Sequence, residues 1–193
     1  VALRNTELLS VGYKLYQLEQ IYNSKGEQAF TDRKNNLIIG LADFYKDFNP
    51  NVDQKVFEKL IYLYATKVPK EFLPNSLSNI NAADLATEIY GQSKLVNYNS
   101  LKELLSGDSK TVLANLNADK GFLLIKNMAD KYLKDVNPKY EEINMRITAL
   151  QRTYMKAQLE LNKDARFFPD ANSTLRVTYG KVKGYAPKDA TLY

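Results

Sequence analysis

Apolar residues recur at alternating steps of three and four along most of this chain, the spacing that gathers side chains onto one face of an α-helix. Leu8, Val11, Leu15, Leu18 and Tyr22 form the first such stripe, with Asn5 or Thr6 placed to cap its start. Gly26 interrupts it. Leu37, Leu41, Phe44 and Phe48 form a second stripe that Asn49-Pro50 ends. Asp53 or Asn51 then opens a third helix carrying Val56, Leu60 and Leu63, stopped near Pro69.

Residues 69–80 read as a connector, with two prolines and several Asn and Ser. Shorter helices follow near 82–90, ending at Gly91, and near 100–105, ending at Gly107, since glycine suits a left-handed C-terminal cap. From Ser109 to Leu133 the pattern is helical again, broken or kinked around Asn117 and Gly121. Asn137-Pro138, a capping residue followed by proline at the first helical position, predicts the start of a helix about 25 residues long. Ile143, Ile147, Leu150, Tyr154, Ala157 and Leu161 give it an apolar stripe, and it reads as the spine of the bundle. Glu141 and Glu142 fall in its first turns, where the helix dipole favours negative charge.

After residue 163 the pattern changes. Leu175, Val177 and Tyr179 alternate with polar residues, Gly180 and Gly184 punctuate, Val182 and Tyr185 continue, and Pro187 ends the run. That is strand patterning, and a lone ribbon needs partner strands or a core to lie on. The predicted fold is mainly α: an antiparallel multi-helix bundle over 1–163 with a short C-terminal β-ribbon within an extended segment, 164–193.

Composition removes several functions. The 193 residues include no Cys and no His, so a disulfide, a thiol nucleophile and a Ser–His–Asp triad cannot be completed within the chain. Zinc normally takes His or Cys, and no metal or other cofactor is expected. The net charge of +5 raises nucleic acid as a partner. The lysines, however, are interleaved with acids, as in Lys55, Glu58 and Lys59, which is how a solvated helix surface reads; no nucleic-acid partner is expected. No apolar run approaches the roughly 20 residues of a membrane span. The chain opens on Val1 instead of Met and shows no signal peptide, which points to a processed or truncated start. The 14 tyrosines suit half-buried positions with a wet hydroxyl, as on a cleft-facing surface.

The run Phe168-Pro169-Asp170-Ala171-Asn172-Ser173-Thr174-Leu175-Arg176, continuing Val177-Thr178-Tyr179-Gly180-Lys181-Val182 and Gly184-Tyr185-Ala186-Pro187-Lys188-Asp189-Ala190, closely resembles the bacterial dipeptidyl peptidase 7 and 11 family. The strong match covers residues 167–190, and the preceding helices agree in character. Pro169, Asp170, Ala171, Asn172, Thr174, Arg176, Tyr179 and Gly180 are its motif residues, with a structural part to play. The resemblance implies a serine peptidase, periplasmic or otherwise exported, that removes dipeptides from peptide N-termini. It implies a chymotrypsin-like double β-barrel with His and Asp earlier in the chain and Ser later, and a helical domain between them that covers the cleft. This chain would be most of that helical domain plus the return to the barrel. The family's Gly-Asn-Ser-Gly-Ser-Pro nucleophile motif has no counterpart here, so no catalytic residue is assigned. Its partners would be the barrel of the parent chain and, in the parent, the peptide substrate; dipeptide preference would be set mainly in the barrel.

Other readings of the same residues are blander. Ser173 has no neighbouring base and reads as a turn residue. Asn172-Ser173-Thr174 matches a glycosylation acceptor only as a short triplet. Arg176, Asp170 and Asp189 read as salt-bridge or turn residues. A stand-alone helical interaction module and a small nucleic-acid-binding protein are the competing functions. The peptidase reading alone predicts an unpartnered C-terminal strand region prone to homo-association.

Overall fold

The computed structural model describes residues 6–168, 173, 175, 177–184 and 189. Its helices are α1 (Glu7–Asp47), α2 (Pro50–Lys67), α3 (Ala82–Gln92), α4 (Tyr98–Leu104), α5 (Ser109–Ala118), α6 (Lys120–Lys131) and α7 (Asn137–Leu161). The connector after α2 folds into two single 3-10 turns, Lys70–Phe72 and Asn75–Leu77. Among the described residues no strand is present. Part of the expected β-ribbon, including Thr174, Arg176 and Tyr185, lies outside the described residues. The chain divides into two compact units, residues 1–147 and 148–193.

The first unit holds the core. α1 packs chiefly against α6, and α2 against α3. Leu8, Val11, Leu15 and Leu18 are buried and Tyr22 packs against them, the face that their spacing predicts. Gly12 permits the closest approach: a Cβ there would sit 1.9 Å from Cδ1 of Ile125 on α6. Gly26 breaks α1 as expected, with φ of 80° and ψ of −169° between two helical limbs. Phe30, Phe57 and Phe122 are fully buried, each contributing on the order of 2–3 kcal/mol of burial.

Several local expectations are corrected. α2 buries Phe57 and Ile61, while Val56 and Leu63 face out and Leu60 is half-buried. The two stripes have the same spacing and differ by one residue of rotation, so packing on α3 selects between them. Its cap is Asn49, whose Oδ1 accepts from the amides of Asn51 (3.1 Å) and Val52 (3.2 Å), with Pro50 following. α3 runs through Gly91 to Gln92, and Ser93 ends it. Gly107, past α4, does adopt the left-handed conformation, with φ of 100°. The break expected around Asn117 and Gly121 is present, at Asp119 between them, which ends α5 and caps α6.

The last helix runs over Asn137–Leu161, 25 residues as expected, but Asn137 does not cap it. Asn137 has helical angles, and helix continues into it from α6 through a π turn at Tyr132–Val136. The amide of Asn137 donates to the carbonyl of Tyr132, five residues back. Pro138 explains the turn, because it has no N–H and its ring would crowd the carbonyl of Lys134; a π bulge moves that carbonyl aside. Glu141 and Glu142 therefore sit inside a continuous helix, not at a dipole's positive end. α7 buries no residue, and Ile143, Ile147, Leu150, Tyr154 and Leu161 are all exposed. It is no core spine among the described residues.

Candidate functional site

Three polar clusters lie inside the first unit, and each begins with a residue type that caps or pairs. Asp53, in the first turn of α2, is 4% exposed. Its Oδ1 accepts from the amide of Glu7 (2.8 Å), and its Oδ2 from the amide of Leu8 (2.9 Å) and the hydroxyl of Tyr90 (2.6 Å). Asp53 thus caps α1 from α2, and Thr6, at the N-cap position, makes no side-chain capping bond. Asn5 lies outside the described residues. Desolvation, then hydrogen bonding to Asp53, holds the Tyr90 hydroxyl protonated well above the usual phenol range.

Asp119 does the same for α6. Its carboxylate accepts from Ser93 Oγ (2.8 Å) and from the amides of Lys94 (2.8 Å) and Phe122 (3.0 Å). The third cluster joins α1, α5 and α6. Lys126 Nζ donates to Glu19 Oε1 (2.7 Å) and to Asn117 Oδ1 (2.8 Å), and Asn117 Nδ2 donates to Glu19 Oε1 (3.1 Å). Glu19 Oε2 is buried without a hydrogen-bond partner. These groups order helices, the Ser93 hydroxyl and the Asp119 carboxylate among them.

A groove of about 370 Å³ opens between the connector and α6, with Leu73, Pro74 and Asn75 on one wall and Asn127, Asp130 and Lys131 on the other. Asp130, Lys131 and Asp135 are already engaged, and Lys134 also lines it. Tyr16 Oη donates to Asp130 Oδ1 at 2.5 Å, and Lys131 pairs with Asp135 at 2.5 Å. That hydrogen bond from Lys131 holds the Asp135 carboxyl below the usual carboxylate range. The groove offers polar side chains, Ser76 and Lys134 among them, to a polar ligand. Among the described residues no cluster of three or more His, Cys, Asp or Glu side chains is disposed to hold a metal ion.

Several tyrosines point inward. Tyr16, Tyr45, Tyr90 and Tyr98 spend their hydroxyls internally, Tyr45 on the carbonyl of Leu95, and Tyr13, Tyr22 and Tyr64 pack against the core. Tyr62, Tyr132, Tyr140 and Tyr154 are exposed.

Of the motif residues, Tyr179 and Gly180 are described: Tyr179 is 97% exposed, and a Cβ on Gly180 would meet nothing. Pro169, Asp170, Ala171, Asn172, Thr174 and Arg176 lie outside the described residues. Ser173 has φ of 63°, a turn conformation in keeping with a turn residue. The three polar clusters were missed from the sequence, where Asp53 and Asp119 carry no signal beyond being capping types.

Among the described residues the framework is helical, and its buried carboxylates cap and pair helices; the comparisons place it in a family. The peptidase S46 family profile matches residues 1–193, so the chain belongs to that family. It is 64% identical over its full length to an Asp/Glu-specific dipeptidyl-peptidase of Flavobacterium psychrophilum, of which it covers 27%. An Asp/Glu-specific dipeptidyl-peptidase of Capnocytophaga gingivalis is 44% identical over 98% of the chain and 27% of that protein. A dipeptidyl-peptidase 7 of Porphyromonas endodontalis is 28% identical over 79% of the chain and 19% of that protein. The chain thus spans about a quarter of the length of the relatives it matches.

Proposed function

We propose that this chain is the non-catalytic helical part of a serine-type dipeptidyl peptidase that releases dipeptides from peptide N-termini, and that it gates the active-site cleft. The observation that carries this is the 64% identity across all 193 residues to a protein named as an Asp/Glu-specific dipeptidyl-peptidase. The absence of His fits a division of labour in which the nucleophile and its base lie elsewhere in the parent. The helical part then acts by geometry: it restricts the cleft to free N-termini and sheds water on closure, leaving bond cleavage to the barrel. Its partners are that barrel and the peptide; export to the periplasm belongs to the same reading. No helix among the described residues is long and apolar enough to cross a membrane. The motif residues from Pro169 to Gly180 serve as structure at the return to the barrel, and this region is where copies of the isolated chain would associate.

The test uses the full-length parent and dipeptidyl reporter substrates with Asp or Glu as the second residue. Expected is release of the reporter from substrates with a free N-terminus and none from the acetylated forms. Single substitutions of Tyr62, Tyr132 and Tyr140 by Ala then read the gate. A changed turnover at one or more of them supports gating, and unchanged turnover at all three defeats it while leaving the peptidase assignment standing.

A further inference from the structure

Several helix ends meet in the first unit at a pocket of about 250 Å³. Gln92 closes α3, Leu104 closes α4, Asn115 stands on the last turn of α5 and Lys120 opens α6. Lys94, at the start of the single 3-10 turn Lys94–Val96, completes the wall with Asp119. Asp119 fixes the places of both lysines: its Oδ2 accepts from the amide of Lys94 at 2.8 Å, and Lys120 follows it in the chain. Its Oδ1 is occupied by Ser93 Oγ and by the amide of Phe122. Gly121 leaves room for this junction, since a Cβ there would stand 2.6 Å from Ser93 Oγ. The other polar groups are uncommitted. Gln92, Lys94 and Asn115 are exposed, and among the described residues their side chains are neither hydrogen-bonded nor ion-paired within the protein. Lys120 pairs with Glu88, but these side chains are 56% and 41% exposed, and so open a pair holds its partners weakly.

We infer that this pocket binds the carboxylate of an acidic peptide. The ammonium groups of Lys94 and Lys120 take the carboxylate, and the amides of Gln92 and Asn115 take the peptide group beside it. Charge complementarity selects an anion, because two ammonium groups face one carboxylate whose oxygens are already occupied. The amides select a peptide, since each carries both a donor and an acceptor, as a peptide group does. A phosphate would bring nearly two negative charges towards Asp119 and would meet amide oxygens with no proton to offer them. The volume is below the roughly 300–1,000 Å³ of pockets that enclose drug-sized ligands, and suits one side chain with its neighbouring peptide groups. The inference is independent of the gating reading: it concerns how this chain holds a peptide, not what the parent does to one.

The test is saturation-transfer NMR on the full-length parent with two capped peptides, acetyl-Gly-Glu-Gly-amide and its Gln counterpart. Acetylation keeps both from a centre that acts on free N-termini. Expected is several-fold tighter binding of the Glu peptide, with that preference lost in the double variant Lys94→Gln, Lys120→Gln. Lys25→Gln, at an exposed lysine on α1, should leave the preference unchanged. The double variant Gln92→Ala, Asn115→Ala should weaken both peptides alike. All four substituted residues are exposed, so each variant should melt with the unchanged protein. Equal binding of the two peptides, or binding of neither, would overturn the inference. A preference for Glu that survives removal of both lysines would overturn it too, as would an equal loss in Lys25→Gln, which would make the effect one of overall charge. Inorganic phosphate that displaces the Glu peptide and binds more tightly would overturn it in favour of a general oxyanion site. Failure of the parent to release dipeptides would defeat the peptidase reading and leave this result unaffected.

Discussion

Phe122 on α6 and Leu150 on α7 belong to one stretch of helical hydrogen bonding, yet the first is fully buried and the second 67% exposed. Up to Ala129 the apolar stripes find partners within the chain, and the buried carboxylates of Asp53 and Asp119 are consumed in capping helices. Beyond Asn137 an equally regular stripe is exposed among the described residues. The contrast teaches that amphipathic periodicity reports the need for a partner and not the partner's address.

The contrast should be largest in stability. Phe122→Ala removes a side chain enclosed on all sides and is expected to cost about 3–5 kcal/mol, from lost burial and the cavity left behind. Leu150→Ala in the same 193-residue chain should change stability by less than about 0.5 kcal/mol, as exposed positions do. Thermal and urea unfolding of both variants measure this. A cost for Leu150→Ala near that of Phe122→Ala would mean that α7 is buried in solution, and the distinction between the two regions would collapse.

A smaller effect tests whether the polar interior holds helices together. Lys126→Met leaves Glu19, only 9% exposed at its side chain, without its cation. The expected loss is about 2–3 kcal/mol, below that of a fully enclosed pair because Lys126 keeps 27% of its surface. Adding Glu19→Gln to Lys126→Met should recover part of the loss, since the stranded charge is gone. Recovery of nothing would show that the stranded charge on Glu19 is not what destabilises the single variant.

The sequence makes some of this legible and hides the rest for identifiable reasons. The α1 stripe, the break at Gly26 and the left-handed Gly107 follow from spacing and backbone freedom, which are local. The face of α2 does not: Val56–Leu60–Leu63 and Phe57–Ile61–Tyr64 have identical spacing, and only α3 decides between them. Asn49 and Asp53 are both capping types; that Asp53 serves a helix whose first residue lies 46 positions away is a tertiary fact. Asn137-Pro138 has the grammar of a helix start, but a proline can also be absorbed by a π turn when helix on both sides is favourable. The Glu19–Asn117–Lys126 cluster joins residues 98 and 107 apart, beyond any local pattern. The motif run ending in Tyr179-Gly180 is legible as resemblance alone, and no spacing rule would have singled it out.

The smallest effect lies where the packed region meets solvent, at the first residue of α1. Glu7 is exposed, and its carboxyl titrates above its ordinary value of 4.5, chiefly from partial desolvation and then from repulsion by Asp53 and Asp47. The folded chain therefore binds this proton more tightly than the unfolded chain. The associated stability is present below 4.5 and is lost as pH rises through the folded value. Glu7→Gln removes that loss while its backbone amide still donates to Asp53. The positive end of α1 acts in the opposite sense, since it favours a negative charge in the first turn. With desolvation and two carboxylates opposing the ionised form, Glu7→Gln should raise the melting temperature at neutral pH by about 1 °C or less, after screening at an exposed site. Below pH 4 the two chains should melt together, because Glu7 is then protonated. A lower melting temperature for Glu7→Gln at neutral pH would mean that the helix dipole outweighs Asp53, and that Asp53's charge is spent almost wholly on the amides and the tyrosine it holds.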